Sequence, residues 1–236
     1  MALILSFILT GQAGGQCVET GLETLVRDNF DVLRGKRVGL VTNPTGVDSH
    51  LRSAVDILND AAEVNLVALY GPEHGVRGEF TAGEHVDFET DPSSGLPVYS
   101  LYGKTRKPTP EMLKGIDILV YDIQDIGSRS YTFISTLGLL MEAAAETGIP
   151  VVVLDRPNPL GGIRMEGAVT RPGFFSFVSQ FAIPYVHGMT VGELATFLNG
   201  EGMLSGGIRC DLHVVKMSGW KRSMHFDDTG LPWVPS

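Results

Sequence analysis

Glu73 and His74 stand between Gly71-Pro72 and Gly75, with Arg77 shortly after. A turn of that composition lifts a side chain clear of the element before it. A carboxyl held there in a cleft can act as a general acid or base if burial raises its pKa; a solvated surface turn is the alternative. Glu166 is a second isolated carboxyl, in the Gly-rich stretch Arg164-Met165-Glu166-Gly167. Asp122, Asp125 and Arg129 share one short segment with Gln124, a pattern that suits catalysis or a structural ion network equally. Tyr131 follows, with its hydroxyl at the start of helix-like sequence. Asp155 and Arg156 precede Pro157-Asn158-Pro159, where two rigid prolines frame a single amide. Asn43, before Pro44, fits a ligand hydrogen bond or an Asn-Pro turn. His187-Gly188 precedes Thr190-Val191-Gly192-Glu193, a capping-box spacing that makes Glu193 a helix cap rather than a catalyst. No HExxH, CxxC or GxSxG pattern supports a metal site or a serine nucleophile, and Cys210 lacks a polar neighbourhood to activate it.

The elements that must position these groups alternate. Apolar, β-rich runs are predicted as strands at 37–42, 64–70, 96–99, 116–122, 151–155 and 208–217, with helices at 51–62, 131–147 and 190–199. Gly148 is placed to end the second helix. Strands apolar on both faces, alternating with helices, predict an α/β fold: a Rossmann-like, mostly parallel sheet flanked by helices. Residues 156–173, rich in Pro and Gly, read as a long ordered loop. The loops at 42–46, 71–78, 124–131 and 156–162 all leave the carboxyl ends of predicted strands, where open α/β sheets bind ligands. Polar groups from four loops are therefore expected to converge on one crevice.

The first of those loops argues against a nucleotide. Asn43-Pro44 occupies the turn where a dinucleotide fold needs GxGxxG, and GxxxxGK[ST] is absent, so no cofactor is expected. A formal net charge of −9 with no basic run excludes non-specific nucleic-acid binding. With 236 residues, 43% hydrophobic and 19% charged, the chain is globular in composition, and two cysteines exclude a disulfide framework. Residues 1–17 resemble a secretory signal: an apolar run at 2–9, too short to span a bilayer, precedes small residues. Export to the periplasm or the cell exterior is expected. Cys17 is a candidate for lipid attachment, although Gln16 stands where such a site calls for Gly or Ala.

Taken together, Gly39-Leu40-Val41-Thr42-Asn43-Pro44-Thr45-Gly46, Gly71-Pro72-Glu73-His74-Gly75, Tyr121-Asp122-Ile123-Gln124-Asp125-Ile126-Gly127, Asp155-Arg156-Pro157-Asn158-Pro159, Glu166-Gly167 and His187-Gly188-Met189-Thr190 resemble the exo-β-N-acetylmuramidases of bacterial cell-wall recycling. The resemblance runs from about residue 21 to the C-terminus. It implies a Rossmann-like domain over 18–170, then, over 171–236, a linker and the beginning of a smaller C-terminal α/β domain, into which the natural polypeptide continues. It implies an active site between the two domains and release of non-reducing terminal N-acetylmuramic acid from peptidoglycan fragments. By motif position the acidic catalysts carry over to Glu73 and Glu166. The substrate side carries over to Asn43, His74, Arg77, Asp122, Gln124, Asp125, Arg129, Tyr131, Asp155, Arg156, Asn158 and His187. The lactyl carboxylate of muramic acid would be met by Arg77 or Arg129. Retaining, inverting and acetamido-assisted routes stay open, as does a non-catalytic sugar-binding module.

Overall fold

The computed structural model describes residues 17–78 and 88–235; the apolar run of the expected export signal lies outside them. Seven strands form one sheet: β1 (Arg37–Thr42), β2 (Asn65–Gly71), β3 (Phe88–Thr90), β4 (Pro97–Ser100), β5 (Ile118–Asp122), β6 (Val151–Leu154) and β7 (Leu212–Val215). Their order is β3-β4-β2-β1-β5-β6-β7, with every pairing parallel except β3 with β4. Alternation along the strands divides the core. Val38, Leu40, Val120 and Val152 face one side with α1 (Gly21–Arg27) and α2 (Ala54–Asp60). Val41, Tyr121, Val151 and Val153 face the other with α3 (Phe133–Thr147) and α4 (Val191–Gly200). Successive strands leave β1 in opposite directions, so the switch point of the sheet lies between β1 and β5.

Local chemistry sets the ends of the elements. The expected helix at 51–62 begins only at Ala54. Asp48 Oδ1 accepts from the amides of His50 and Arg52, Leu51 is left-handed at φ 62°, and Ser53 then caps the helix through Val55 N. The expected strand at 208–217 narrows to β7 because the Asn199 side chain holds Cys210 at both its N–H and its C=O. Thr190 and Glu193 close the expected capping box on α4, and Gly148, at φ 70°, ends α3. The division expected at residue 170 is not a break in the sheet. α4 packs on β6 and β7, and β7 pairs in parallel with β6, so residues 191–215 belong to the first α/β unit. Residues 156–189 form the long loop, held by isolated bridges of Val186 to Ser128 and to Glu166.

Among the described residues, one strand and one α-helix lie outside the expected set. β3 is three residues long and antiparallel. α1 opens with its own capping box, Thr20 with Glu23, and rests against the end of β6. The Gly21 amide donates to Asp155 O at 2.7 Å, and a Cβ at Gly21 would lie 2.3 Å from Asp155 N, so the approach requires glycine.

Candidate active site

Three of the four strand-end loops converge as expected, but their polar groups satisfy one another. The Arg156 guanidinium forks onto the Asp122 carboxylate at 2.6 and 2.8 Å, both side chains almost wholly buried, and its Nη2 also donates to Val47 O at 2.9 Å. Asn43 Oδ1 accepts from Thr45 N at 3.0 Å and from Thr45 Oγ1 at 2.5 Å, the Asn-Pro turn of the two readings. Thr45 Oγ1 accepts in turn from Gln124 N at 2.9 Å, and Gln124 Nε2 donates to Pro157 O at 2.8 Å. Asn158 Nδ2 donates to Met189 O, and its Oδ1 accepts from Leu160 N. Asn43, Asp122, Gln124, Arg156 and Asn158, expected on the substrate side, thus hold the loops to each other.

A segment of the same chain then covers the switch point. Phe226, Leu231, Pro232 and Val234 lie over Thr45, Asp48, Gln124 and Arg156, leaving a cavity of about 10 Å³, room for about one water.

Asp125 and His187 meet in the interior. Met189 N donates to His187 Nδ1 at 3.3 Å, which leaves the imidazole proton on Nε2, 3.5 Å from Asp125 Oδ2. Gly127 N donates to the same carboxylate at 2.7 Å. Arg129 is tied to the long loop: its Nη1 donates to the carbonyls of Ala168 and Ile183.

Asp155 is buried at the start of α4. It accepts from Arg156 N, Gly192 N and Thr190 Oγ1 at 2.8–3.0 Å, yet burial outweighs these donors and pushes its pKa up to about 6. A folded pKa above the unfolded one means that the contribution is full below about pH 4 and is lost as pH rises through about 6. Wild type is therefore expected to lose stability across that window relative to Asp155→Asn, by on the order of a few kcal/mol. Urea midpoints at both ends of the window test this, and parallel pH slopes in the two proteins would overturn it.

The second strand-end loop is built differently. Its turn is closed by Gly75 N donating to Pro72 O at 3.1 Å, and His74 is held left-handed at φ 74°, a conformation uncommon outside Gly, Asn, Asp and His. Glu73 and His74 are partly exposed at its tip. The Tyr102 hydroxyl, from the loop after β4, donates to the Glu73 carboxylate, which raises the phenol's pKa. Arg77 anchors the loop from below. It bonds to Asp91 at 2.6 and 3.1 Å and to Asp56 at 2.7 Å, so its fork is spent inside the protein. The Asp91 carboxyl is held down to about 2 by that guanidinium and by Ser94, against its burial.

Glu166 is not placed as an acid catalyst would be. Arg164 holds its carboxylate at 2.6 and 2.8 Å at a half-exposed position and lowers its pKa, which opposes proton donation. Tyr131 is exposed and packs edge-on against Phe133. Among the described residues no group of three His, Cys, Asp or Glu side chains could hold a metal ion. Sequence reasoning missed Tyr102 and Arg106. Arg106 lies near the Tyr102 hydroxyl and carries its guanidinium carbon 4.3 Å from the Phe177 ring centre.

Fold and site define a doubly wound α/β protein with its switch point filled by its own chain and a carboxyl raised on a left-handed turn at one side. The chain belongs to the family described as exo-beta-N-acetylmuramidase NamZ, N-terminal, whose model matches residues 38–236. It is 56% identical over 217 residues to the peptidoglycan beta-N-acetylmuramidase NamZ of Bacillus subtilis (strain 168), a match covering 92% of this chain and 51% of that protein. Two crystal structures of DUF1343 family proteins from Bacteroides fragilis NCTC 9343 are similar. One has TM-score 0.87 and 65% identity, covering 92% of this chain and 54% of the other. The second has TM-score 0.78 and 35% identity, covering 89% and 54%. The chain spans about half the length of the relatives it matches.

Proposed function

We propose that this chain forms part of a glycoside hydrolase that releases non-reducing terminal N-acetylmuramic acid from peptidoglycan fragments. The observation that carries the reading is Glu73. Of the carboxyls expected to do chemistry, it is the one whose partner among the described residues is a hydroxyl alone, that of Tyr102, with no arginine or backbone amide. The Tyr102 hydroxyl positions the Glu73 carboxyl on its turn for acid/base work. Glu73 gives its proton to the leaving glycosidic oxygen as that bond breaks, and the carboxylate so formed takes a proton from the water that completes the hydrolysis. With Glu166 committed to Arg164, the substrate's own 2-acetamido oxygen is the nucleophile that the site favours. The names of the family and of the Bacillus subtilis relative support the same substrate.

A panel of aryl N-acetylhexosaminides tests the assignment, with the muramide expected to be turned over in preference. Binding of the muramide without turnover would favour a sugar-binding module instead. We also propose that the protein is exported, on the strength of the apolar run at 2–9 and the small residues after it. Mass spectrometry of the protein from its host should show the segment before Val18 removed. An intact N-terminus in a cytoplasmic fraction would overturn this. Among the described residues no helix is long and apolar enough to cross a membrane.

A further inference from the structure

A muramic acid differs from other N-acetylhexosamines by its lactyl carboxylate, and such a group calls for an arginine able to present a free fork. Of the two arginines expected to do this, Arg77 is engaged by Asp56 and Asp91, and Arg129, over the Tyr185 ring, spends Nη1 on two backbone carbonyls that tie it to the long loop. Arg156 is buried against Asp122, and Arg164 is held by Glu166. Arg106 is different. It is exposed on the loop after β4, lies near the Tyr102 hydroxyl and over the Phe177 ring, and makes no hydrogen bond or ion pair among the described residues. The ring contact holds the guanidinium over Phe177 and leaves its five N–H donors unspent. The loop that carries Arg106 also carries Tyr102, the partner of Glu73, so one short segment brings a fixed cation to the acid/base carboxyl. Phe177 is itself positioned, since Ser135 Oγ on α3 donates to its carbonyl at 2.6 Å.

We propose that Arg106, oriented by Phe177, recognises the carboxylate of the substrate and so selects muramic acid over N-acetylglucosamine. The proposal rests on the functional reading above. Lys104, on the same loop but with no ring beneath it, is not expected to share the role.

The test uses the full natural polypeptide that carries this sequence, with variants Arg106→Gln, Arg106→Lys, Phe177→Leu, Lys104→Gln and, for an exposed arginine of the long loop near Phe177 in sequence, Arg171→Gln. Each is assayed on the aryl muramide and on the matching N-acetylglucosaminide, and titrated calorimetrically with free N-acetylmuramic acid and N-acetylglucosamine. Losing a bidentate charged contact weakens binding by about 10–100-fold. Arg106→Gln should raise KM for the muramide by that factor, with kcat little changed, and should abolish the preference over the glucosaminide. Arg106→Lys and Phe177→Leu should fall between it and wild type. Lys104→Gln and Arg171→Gln should behave as wild type. An unchanged preference in Arg106→Gln, or a loss that follows Arg171→Gln instead, overturns the assignment while leaving the glycosidase reading intact. A wild-type protein that neither turns over nor binds the muramic acid overturns both.

Discussion

Glu73→Gln is expected to lower kcat on a muramide by about 10²–10⁴-fold, the usual contribution of a positioned acid/base. Glutamine keeps the length of the side chain and can still accept the Tyr102 hydroxyl through its amide oxygen, but it cannot carry the proton between steps. The turn itself should be unaffected, since the left-handed His74 and the Pro72–Gly75 hydrogen bond do not involve the Glu73 side chain. The loss should therefore fall on kcat, with KM close to wild type. An effect confined to KM would make Glu73 a binding residue, and full activity would remove it from the mechanism. Tyr102→Phe separates positioning from catalysis. It should cost less than Glu73→Gln, because Glu73 loses the hydroxyl that positions it but keeps the carboxyl that carries the proton.

The second large effect is on stability. Arg156→Met is expected to destabilise the fold by about 3–5 kcal/mol, as removal of one partner of a buried ion pair does. Asp122 would be left as an unpaired buried carboxylate at the end of β5, and the Val47 carbonyl would lose its donor. Replacing both partners, Asp122→Leu with Arg156→Met, should cost much less than the single change, because no uncompensated charge remains. Urea denaturation of the three proteins checks the ordering. A loss below about 1 kcal/mol in Arg156→Met, the scale of an exposed pair, would mean that the pair is solvated.

The parallel sheet was legible because β1, β2, β5 and β6 are apolar on both faces, and long helices such as α3 show their period directly. α1 was harder. Seven residues make two turns, too few for periodicity to declare itself, although Thr20 and Glu23 repeat the box recognised at Thr190 and Glu193. That charged residues gather at the strand ends was also legible. That they would neutralise one another was not, since Asp122 meets Arg156, and Arg77 meets Asp56 and Asp91, only through the tertiary fold. Tyr102 and Arg106 escaped notice because β4 is four residues long and partly polar, so the loop behind it did not read as a strand-end loop. Its signal was Tyr102-Gly103 directly after an apolar run, the arrangement that drew attention to the turn at Glu73.

The cover over the switch point bears on how the molecule is made. Val18 N donates to Thr229 O, and Glu19 pairs with Ser218 in both directions, so the start of the described chain is tied to the segment that covers β1 and β5. On the ribosome, Asn43, Thr45 and Gln124 emerge long before Leu231 and Val234, and their polar floor stays wet until the covering residues leave the exit tunnel. The sheet can assemble strand by strand during translation, but its last cooperative step waits for contacts about 200 residues apart in sequence, the kind that slow folding. A ribosome stalled before residue 226 should hold an α/β core with an unsealed carboxyl edge.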